Sequence, residues 1–278
     1  MIPRFVEDKG VSAAVKEAQA TVGVIEDYRL EELLRCPFRV TRPRKEYPGQ
    51  PRKDVSWRQL VQYSASYIVN DYFSLPPEQR SAGAIERSAY HRWSNRAYKF
   101  ESADHYKHMR AQTVSNLTRF LQEGRDLVPM VLFESFRRYI PSVESDVSFI
   151  VQMLHRTGSG SQSPYVIHKY LVDDDPGVII GFRHLAVLFC SEAFGALPGR
   201  IEVFGVLSGN RYVFRPGPEE VAKAADYIRL LRDYMPEAGA GPRYDPNRPS
   251  VCGKCALRTE CDRSARHDIA PSERRILH

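Results

Sequence analysis

The sequence has no apolar run long enough to suggest a membrane helix. Its longest uninterrupted stretches, such as residues 185–190, fall far short of the roughly 18 residues that a bilayer-spanning helix needs. The first ten residues also carry charge where a secretory signal peptide would be apolar. We therefore expect a cytoplasmic protein with no membrane partner.

Cysteine is scarce, and its count of five is odd. An odd count argues against a closed disulfide framework and favours metal binding or free thiols in a reducing compartment. The chain has 278 residues, of which 42% are hydrophobic, so it can bury a substantial core. This excludes a disordered chain, a collagen-like repeat and a small disulfide scaffold. The net charge of +6 is compatible with a nucleic-acid partner.

Hydrophobic periodicity predicts helices first and a sheet afterwards. Helical spacing covers residues 28–35, 57–73 and a block from about 84 to 123, whereas short segments rich in Val, Ile, Phe and Tyr cover residues 131–140, 145–154 and 165–172. A helix over 179–194, a hairpin of 201–207 with 211–214, and a helix over 218–234 follow. The prediction is an α/β protein with a helical region (1–126), an α/β core (127–235) and a linker with a cysteine cluster (236–278).

Four of the five cysteines form a one-plus-three pattern. Cys36 precedes a proline near the start, and three cysteines with the spacing Cys-x2-Cys-x5-Cys lie near the end: Cys252, Cys255 and Cys261. Four thiolates can complete a tetrahedral zinc site or hold an iron–sulfur cluster. A zinc ribbon normally brings two short-spaced pairs instead. Cys190 lies in an apolar segment, and we expect it to be a buried core thiol.

This cysteine pattern resembles that of the iron–sulfur branch of the RecB-type PD-(D/E)XK nucleases, which includes the CRISPR-associated iron–sulfur exonucleases and the nuclease domain of AddB. The resemblance covers about residues 27–263, and the order of elements agrees. It implies a restriction-endonuclease-like core, in which helices flank a central mixed sheet and the C-terminal cysteine cluster closes onto the N-terminal helical region. It also implies a 4Fe-4S cluster on Cys36, Cys252, Cys255 and Cys261, with zinc as the alternative.

The resemblance also locates the positions of a nuclease centre. The family holds Mg²⁺ or Mn²⁺ with an acid on one strand and an Asp or Glu followed, two residues later, by a Lys on the next strand. Asp146 takes the place of the first acid, but His168 and Tyr170 stand where the second acid and the Lys belong. His184 stands where the family carries a Gln on the following helix. Lys169 faces the opposite side of the strand by alternation, so a degenerate catalytic centre is predicted.

A degenerate centre with a complete set of cluster cysteines predicts a non-catalytic, nuclease-like protein. It would bind DNA, as single strands or strand ends, or serve as a structural subunit of a larger DNA-processing, defence or mobile-element complex. An active Mg²⁺- or Mn²⁺-dependent DNA exonuclease of the same family and a zinc-binding interaction protein are the alternatives. Basic residues around the cysteines are expected to contact phosphates: Arg35, Arg39, Arg42, Arg44, Lys45, Lys254 and Arg258.

Residues 87–100 alternate basic and aromatic side chains. Such a segment either stacks aromatic rings on a single strand or forms an ordinary helix with a solvated basic face and a buried aromatic face. The sequence leaves both possibilities open.

Overall fold

The computed structural model describes residues 24–37, 55–157, 165–235 and 261. Within these ranges six strands form one mixed sheet that helices flank on both faces. This confirms the predicted α/β class and the predicted central mixed sheet. The restriction-endonuclease-like identity of the core, the closing cysteine cluster and the division at residues 126 and 235 stay predictions.

The helices within the described ranges are close to those expected from periodicity. Their bounds are α1 Asp27–Arg35, α2 Trp57–Ser74, α3 Ala82–Arg92, α4 Ala103–Glu123, α5 Pro176–Phe194 and α6 Glu220–Tyr234. The predicted block over 84–123 is two helices, because Ser102 caps the start of α4 by accepting a hydrogen bond from the His105 amide. Helix α5 begins three residues earlier than predicted, because Asp175 accepts hydrogen bonds from the amides of residues 177 and 178 and a proline follows it.

The strands are β1 Ile25–Glu26, β2 Pro129–Ile140, β3 Ser145–Arg156, β4 Tyr165–Leu171, β5 Arg200–Gly205 and β6 Arg211–Phe214. The sheet order is β1-β3-β4-β5-β6, and β2 also pairs with β3. Strands β1 and β3 are parallel, as are β4 and β5, whereas the other pairs are antiparallel. Strand β1 was not predicted, because two residues carry no periodicity.

One edge of β3 is shared by two different strands. Its first half pairs with β1 at Val147 and Ser148, and its second half pairs with β4 from Met153 onward. Between Ser148 and Met153, therefore, neither β1 nor β4 pairs with this edge of β3. The amide of Ile150 lies in this split and donates to Asp27 Oδ2 at 3.2 Å, so a side chain of α1 occupies the place of a strand partner.

The two faces of the sheet bury different hydrophobic clusters. On the first face β3, β4 and β5 pack against α1, α5 and α6, around fully buried Phe149 and Leu188. On the second face the sheet packs against α2, α3 and α4, around Tyr72, Leu117 and Tyr170. A smaller cluster beside α2 contains Trp93 and Phe100.

Helix α5 has the length and composition that a membrane-spanning helix requires. Ten of its 19 residues are buried, and it lies between the sheet and α6. A core helix that is apolar on all sides satisfies the same length and composition requirements, so the burial accounts for its hydrophobicity.

Candidate functional site

The predicted catalytic positions of β4 face the helices of the second face. Tyr170 stacks on Phe204 of β5, with ring centroids 5.1 Å apart and an angle of 14° between the planes. His168 lies beside the same Phe204 ring at 5.3 Å. Lys169, between them in sequence, contacts Asp27 and Glu31 of α1 on the opposite face. The alternation expected for this strand is confirmed.

His168 is one half of a buried histidine pair. Its Nε2 lies 3.2 Å from Nε2 of His155 on β3, and the two side chains are 5% and 3% exposed. Nδ1 of His155 is 3.3 Å from the Arg156 carbonyl, so it carries the proton and Nε2 of His155 accepts from His168. Among the residues that the structure describes, Nδ1 of His168 has no hydrogen-bond partner, and this atom is buried. Burial, together with the neighbouring His155, lowers the pKa of His168 to about 3, which keeps it neutral at physiological pH.

This depressed pKa predicts acid sensitivity. The unfolded chain takes up a proton on this side chain near pH 6.5, whereas the folded chain does so only near pH 3. Stability from this group is therefore complete above pH 6.5 and is lost as the pH falls toward 3. Between pH 6.5 and about 5, the difference in protonation of His168 between the folded and unfolded chain should lower the free energy of unfolding by about 2 kcal/mol.

Urea denaturation at a series of pH values measures this loss. His168→Leu should show a shallower pH dependence than the wild type. It should also show a shallower pH dependence than the control His91→Leu, which removes an exposed histidine of α3. Equal slopes for the wild type and His168→Leu would contradict the assigned neutral state.

Tyr170 is held by its backbone as well as by its ring. Its amide donates to Gln152 Oε1 at 2.6 Å, and its carbonyl accepts from Gln62 Nε2 at 2.9 Å. Burial, followed by the nearby Glu202 carboxylate, raises the pKa of its phenol, which therefore stays protonated. Where the family would carry a charged Lys, this chain has a neutral, buried phenol.

The carboxylate of Glu202 was missed by the sequence analysis. Glu202 lies opposite His168 across the parallel β4–β5 ladder and is fully buried. It forms ion pairs with Arg200 and Arg211, and Arg211 Nε donates to it at 2.9 Å. An acid within the otherwise apolar segment 201–206 was the available signal. Its negative charge is compensated by two guanidinium groups.

Asp146 lies far from His168. Met153 pairs with His168, and Asp146 is seven residues earlier on β3, which is roughly 23 Å along a strand. Asp146 is partly exposed and accepts a hydrogen bond from Arg137 at 2.8 Å. One metal ion cannot contact both residues at that separation. The β3 residues that contact the predicted catalytic segment of β4 are Gln152 and His155.

His184 lies on α5, across the sheet from His168. Its ring packs on Tyr227 of α6, with the centroids 4.6 Å apart. Burial, and then the charge of Arg183, lowers the pKa of His184. The four predicted positions of the degenerate centre therefore occupy three separate places, and only His168 and Tyr170 are neighbours.

A second group of charges lies on the first face. Lys169 Nζ is 3.8 Å from Asp27 Oδ2 and 3.9 Å from Glu31 Oε2, and these residues line a small pocket whose wall includes Phe182. Burial raises the pKa of Asp27, although Lys169 opposes the shift. The sequence analysis missed this group, although the spacing of Asp27 and Glu31 places them on one side of a helix.

The charges continue along α1 toward Cys36. Arg35 forms ion pairs with Glu31 and with Asp173, and Asp173 also lies 3.5 Å from Arg58. Two carboxylates thus already neutralise Arg35, the first of the residues predicted to bind DNA. The other predicted phosphate contacts lie outside the described residues: Arg39, Arg42, Arg44, Lys45, Lys254 and Arg258.

The predicted cluster ligands are described only in part. Cys36 is half-buried at the C-terminal end of α1, where its amide donates to the Glu32 carbonyl at 2.9 Å. Cys261 is also half-buried, whereas Cys252 and Cys255 lie outside the described residues. Within the part of the chain that the structure describes, no three His, Cys, Asp or Glu side chains are close enough to hold a metal ion.

Comparisons with known proteins do not place the chain in a family. No family model matches it, and no curated protein has significant sequence similarity to it.

Proposed function

We propose that this chain is a nuclease-like protein that binds DNA without cleaving it and carries a 4Fe-4S cluster on Cys36, Cys252, Cys255 and Cys261. One observation carries the proposal: the β4 positions that correspond to charged catalytic residues hold neutral, buried side chains. In this proposal the protein acts alone or as a structural subunit of a larger DNA-processing, defence or mobile-element complex.

The side chains around β4 on the second face of the sheet support the proposal that the protein does not cleave DNA. Mg²⁺ binds carboxylate oxygens and water in preference to imidazole, phenol or amide groups. Around β4 the chain offers a neutral His168, a protonated Tyr170 and the amides of Gln62 and Gln152. The nearby carboxylate, Glu202, is already bound by Arg200 and Arg211.

The anchoring of α1 supports the role of Cys36 as a cluster ligand. Leu30 is buried in the first-face cluster, and Lys169 and Asp173 tie the helix to β4 and to the loop that follows it. Cys36 lies at the end of this anchored helix, where its amide also donates to the Glu32 carbonyl. A 4Fe-4S cluster would supply three further thiolate bonds there and so join distant parts of the chain.

DNA binding is supported by the charge of the segments that adjoin the cysteines. The stretch 39–58 contains seven Lys or Arg residues and two acids. Cationic side chains neutralise phosphates and release counterions, which gives affinity without sequence readout.

The test combines binding and cleavage on one labelled single-stranded oligonucleotide. Binding should weaken as the salt concentration rises, with a log–log slope of about −0.7 for each phosphate neutralised. The DNA should remain intact with Mg²⁺ or Mn²⁺. Degradation that is lost in Asp146→Ala but kept in Asp104→Ala, the control at an exposed carboxylate of α4, would favour the active exonuclease instead. Binding that is insensitive to salt would contradict phosphate recognition.

A further inference from the structure

Four tyrosines of the helical region are exposed to solvent. The exposed fractions are 54% for Tyr63, 53% for Tyr67, 78% for Tyr90 and 77% for Tyr98. We refer to these four residues as the tyrosine patch. In the same region Trp93 and Phe100 are buried in the small cluster beside α2. The structure therefore divides the aromatic residues of segment 87–100 into a buried pair and an exposed pair.

The backbones of the four tyrosines lie near one point, where the chain crosses α2. Ser64 Oγ donates to the Arg92 carbonyl at 3.1 Å and accepts from the Ser94 amide at 3.3 Å. The segment that leaves α3 thus crosses α2 beside Tyr63 and one turn from Tyr67. Tyr90 precedes this crossing by two residues and Tyr98 follows it by four, so their backbones lie within about 15 Å of it.

Cationic groups accompany these rings. The guanidinium of Arg92 lies 5.3 Å from the centre of the Tyr67 ring and is bound to Asp71. Lys99 Nζ lies 5.5 Å from the Tyr98 ring. Residues 87–99 contain four Lys or Arg side chains and no acid. The patch therefore offers exposed aromatic rings near a segment with a surplus of basic residues, although the charge of Arg92 itself is already neutralised by Asp71.

Exposed rings and cations together match the chemistry of a single DNA strand. Unpaired bases present π-faces that stack on tyrosine, and the linking phosphates contact Lys and Arg. A duplex hides those faces within its own stack. We infer that the tyrosine patch is a stacking surface for single-stranded DNA. This inference rests on the proposed DNA-binding function and deepens it by naming the surface that binds the single strand.

The experiment measures binding of the full-length protein to three labelled probes: oligo(dT), an abasic strand of the same length, and a duplex. Tyr63→Ala/Tyr67→Ala should weaken oligo(dT) binding roughly tenfold to hundredfold, since each stacked base contributes strongly to affinity. Binding of the abasic strand and of the duplex should change less than twofold. Tyr63→Phe/Tyr67→Phe keeps both rings and should bind oligo(dT) like the wild type.

Tyr234→Ala is the matched control. Tyr234 is 50% exposed and lies on α6, on the opposite face of the sheet from α2. Unchanged oligo(dT) binding by Tyr63→Ala/Tyr67→Ala, or an equal loss on the abasic strand, would overturn the stacking surface and leave the proposed DNA binding in place. A wild-type protein that binds none of the three probes would overturn both.

Discussion

Replacing Lys169 with methionine should lower the free energy of unfolding by about 3–5 kcal/mol, the usual cost of breaking a buried ion pair on one side. Lys169 is 6% exposed and Asp27 is 5% exposed, so the substitution leaves a buried carboxylate without its counterion. Burial already raises the pKa of Asp27, and removal of the ammonium would raise it further. Urea denaturation followed by circular dichroism measures the loss.

The same argument fixes the direction of the pH dependence in Lys169→Met. Asp27 would be protonated in the folded variant at a pH where the unfolded chain is ionised, so the folded state binds the extra proton. Stability is then present at low pH and falls as the pH rises through the raised pKa. The difference in the free energy of unfolding between the wild type and Lys169→Met should therefore be larger at pH 7 than at pH 4.

Two further variants make this prediction specific. Asp27→Asn/Lys169→Met removes the charge on both sides and should recover much of the loss. Lys107→Met breaks an exposed pair with Asp104 and should change stability by less than about 1 kcal/mol. If Lys169→Met cost no more than Lys107→Met, the buried charges would not be coupled as described.

Replacing Cys252 with alanine should remove nearly all bound iron. If four thiolates hold a 4Fe-4S cluster, the anaerobically purified wild-type protein should be brown and contain about four iron atoms per chain. Loss of one thiolate should abolish the broad visible absorbance. Elemental analysis for iron and zinc, together with the absorbance spectrum, measures the result.

Cys190→Ala is the control for this experiment. Burial raises the pKa of the Cys190 thiol to about 12, so it is not a thiolate that could bind metal. Iron content should be unchanged in this variant. Zinc in place of iron in the wild-type protein would favour the zinc-binding alternative, and iron retained in Cys252→Ala would contradict the proposed ligand set.

The sheet could be predicted because its strands differ from the helices in composition and period. Alternation along residues 165–172 correctly separates the faces of Lys169 and Tyr170, because side-chain direction in a strand follows from sequence position alone. Strand β1 could not be found in this way, since it consists of two residues whose partner, β3, lies more than a hundred positions away.

Most of the site depends on pairings that sequence spacing does not reveal. His155 and His168 meet because the β3–β4 register places them near each other on neighbouring strands, and the parallel β4–β5 register places Glu202 opposite His168. That same register separates Asp146 from His168. A motif alignment gives the positions of residues along the chain, but it does not give the register between two strands. A change of a few residues in that register decides which side chains are neighbours.

The split edge of β3 makes the solubility of the protein depend on the helix that leads to Cys36. Asp27 occupies the hydrogen-bonding position of Ile150, and nine residues later the same helix reaches Cys36. Any event that releases α1, such as oxidative damage beside Cys36, would uncover a stretch of unpaired strand. Exposed strand edges template pairing between separate chains, so release of this helix should convert a dispersed protein into aggregates.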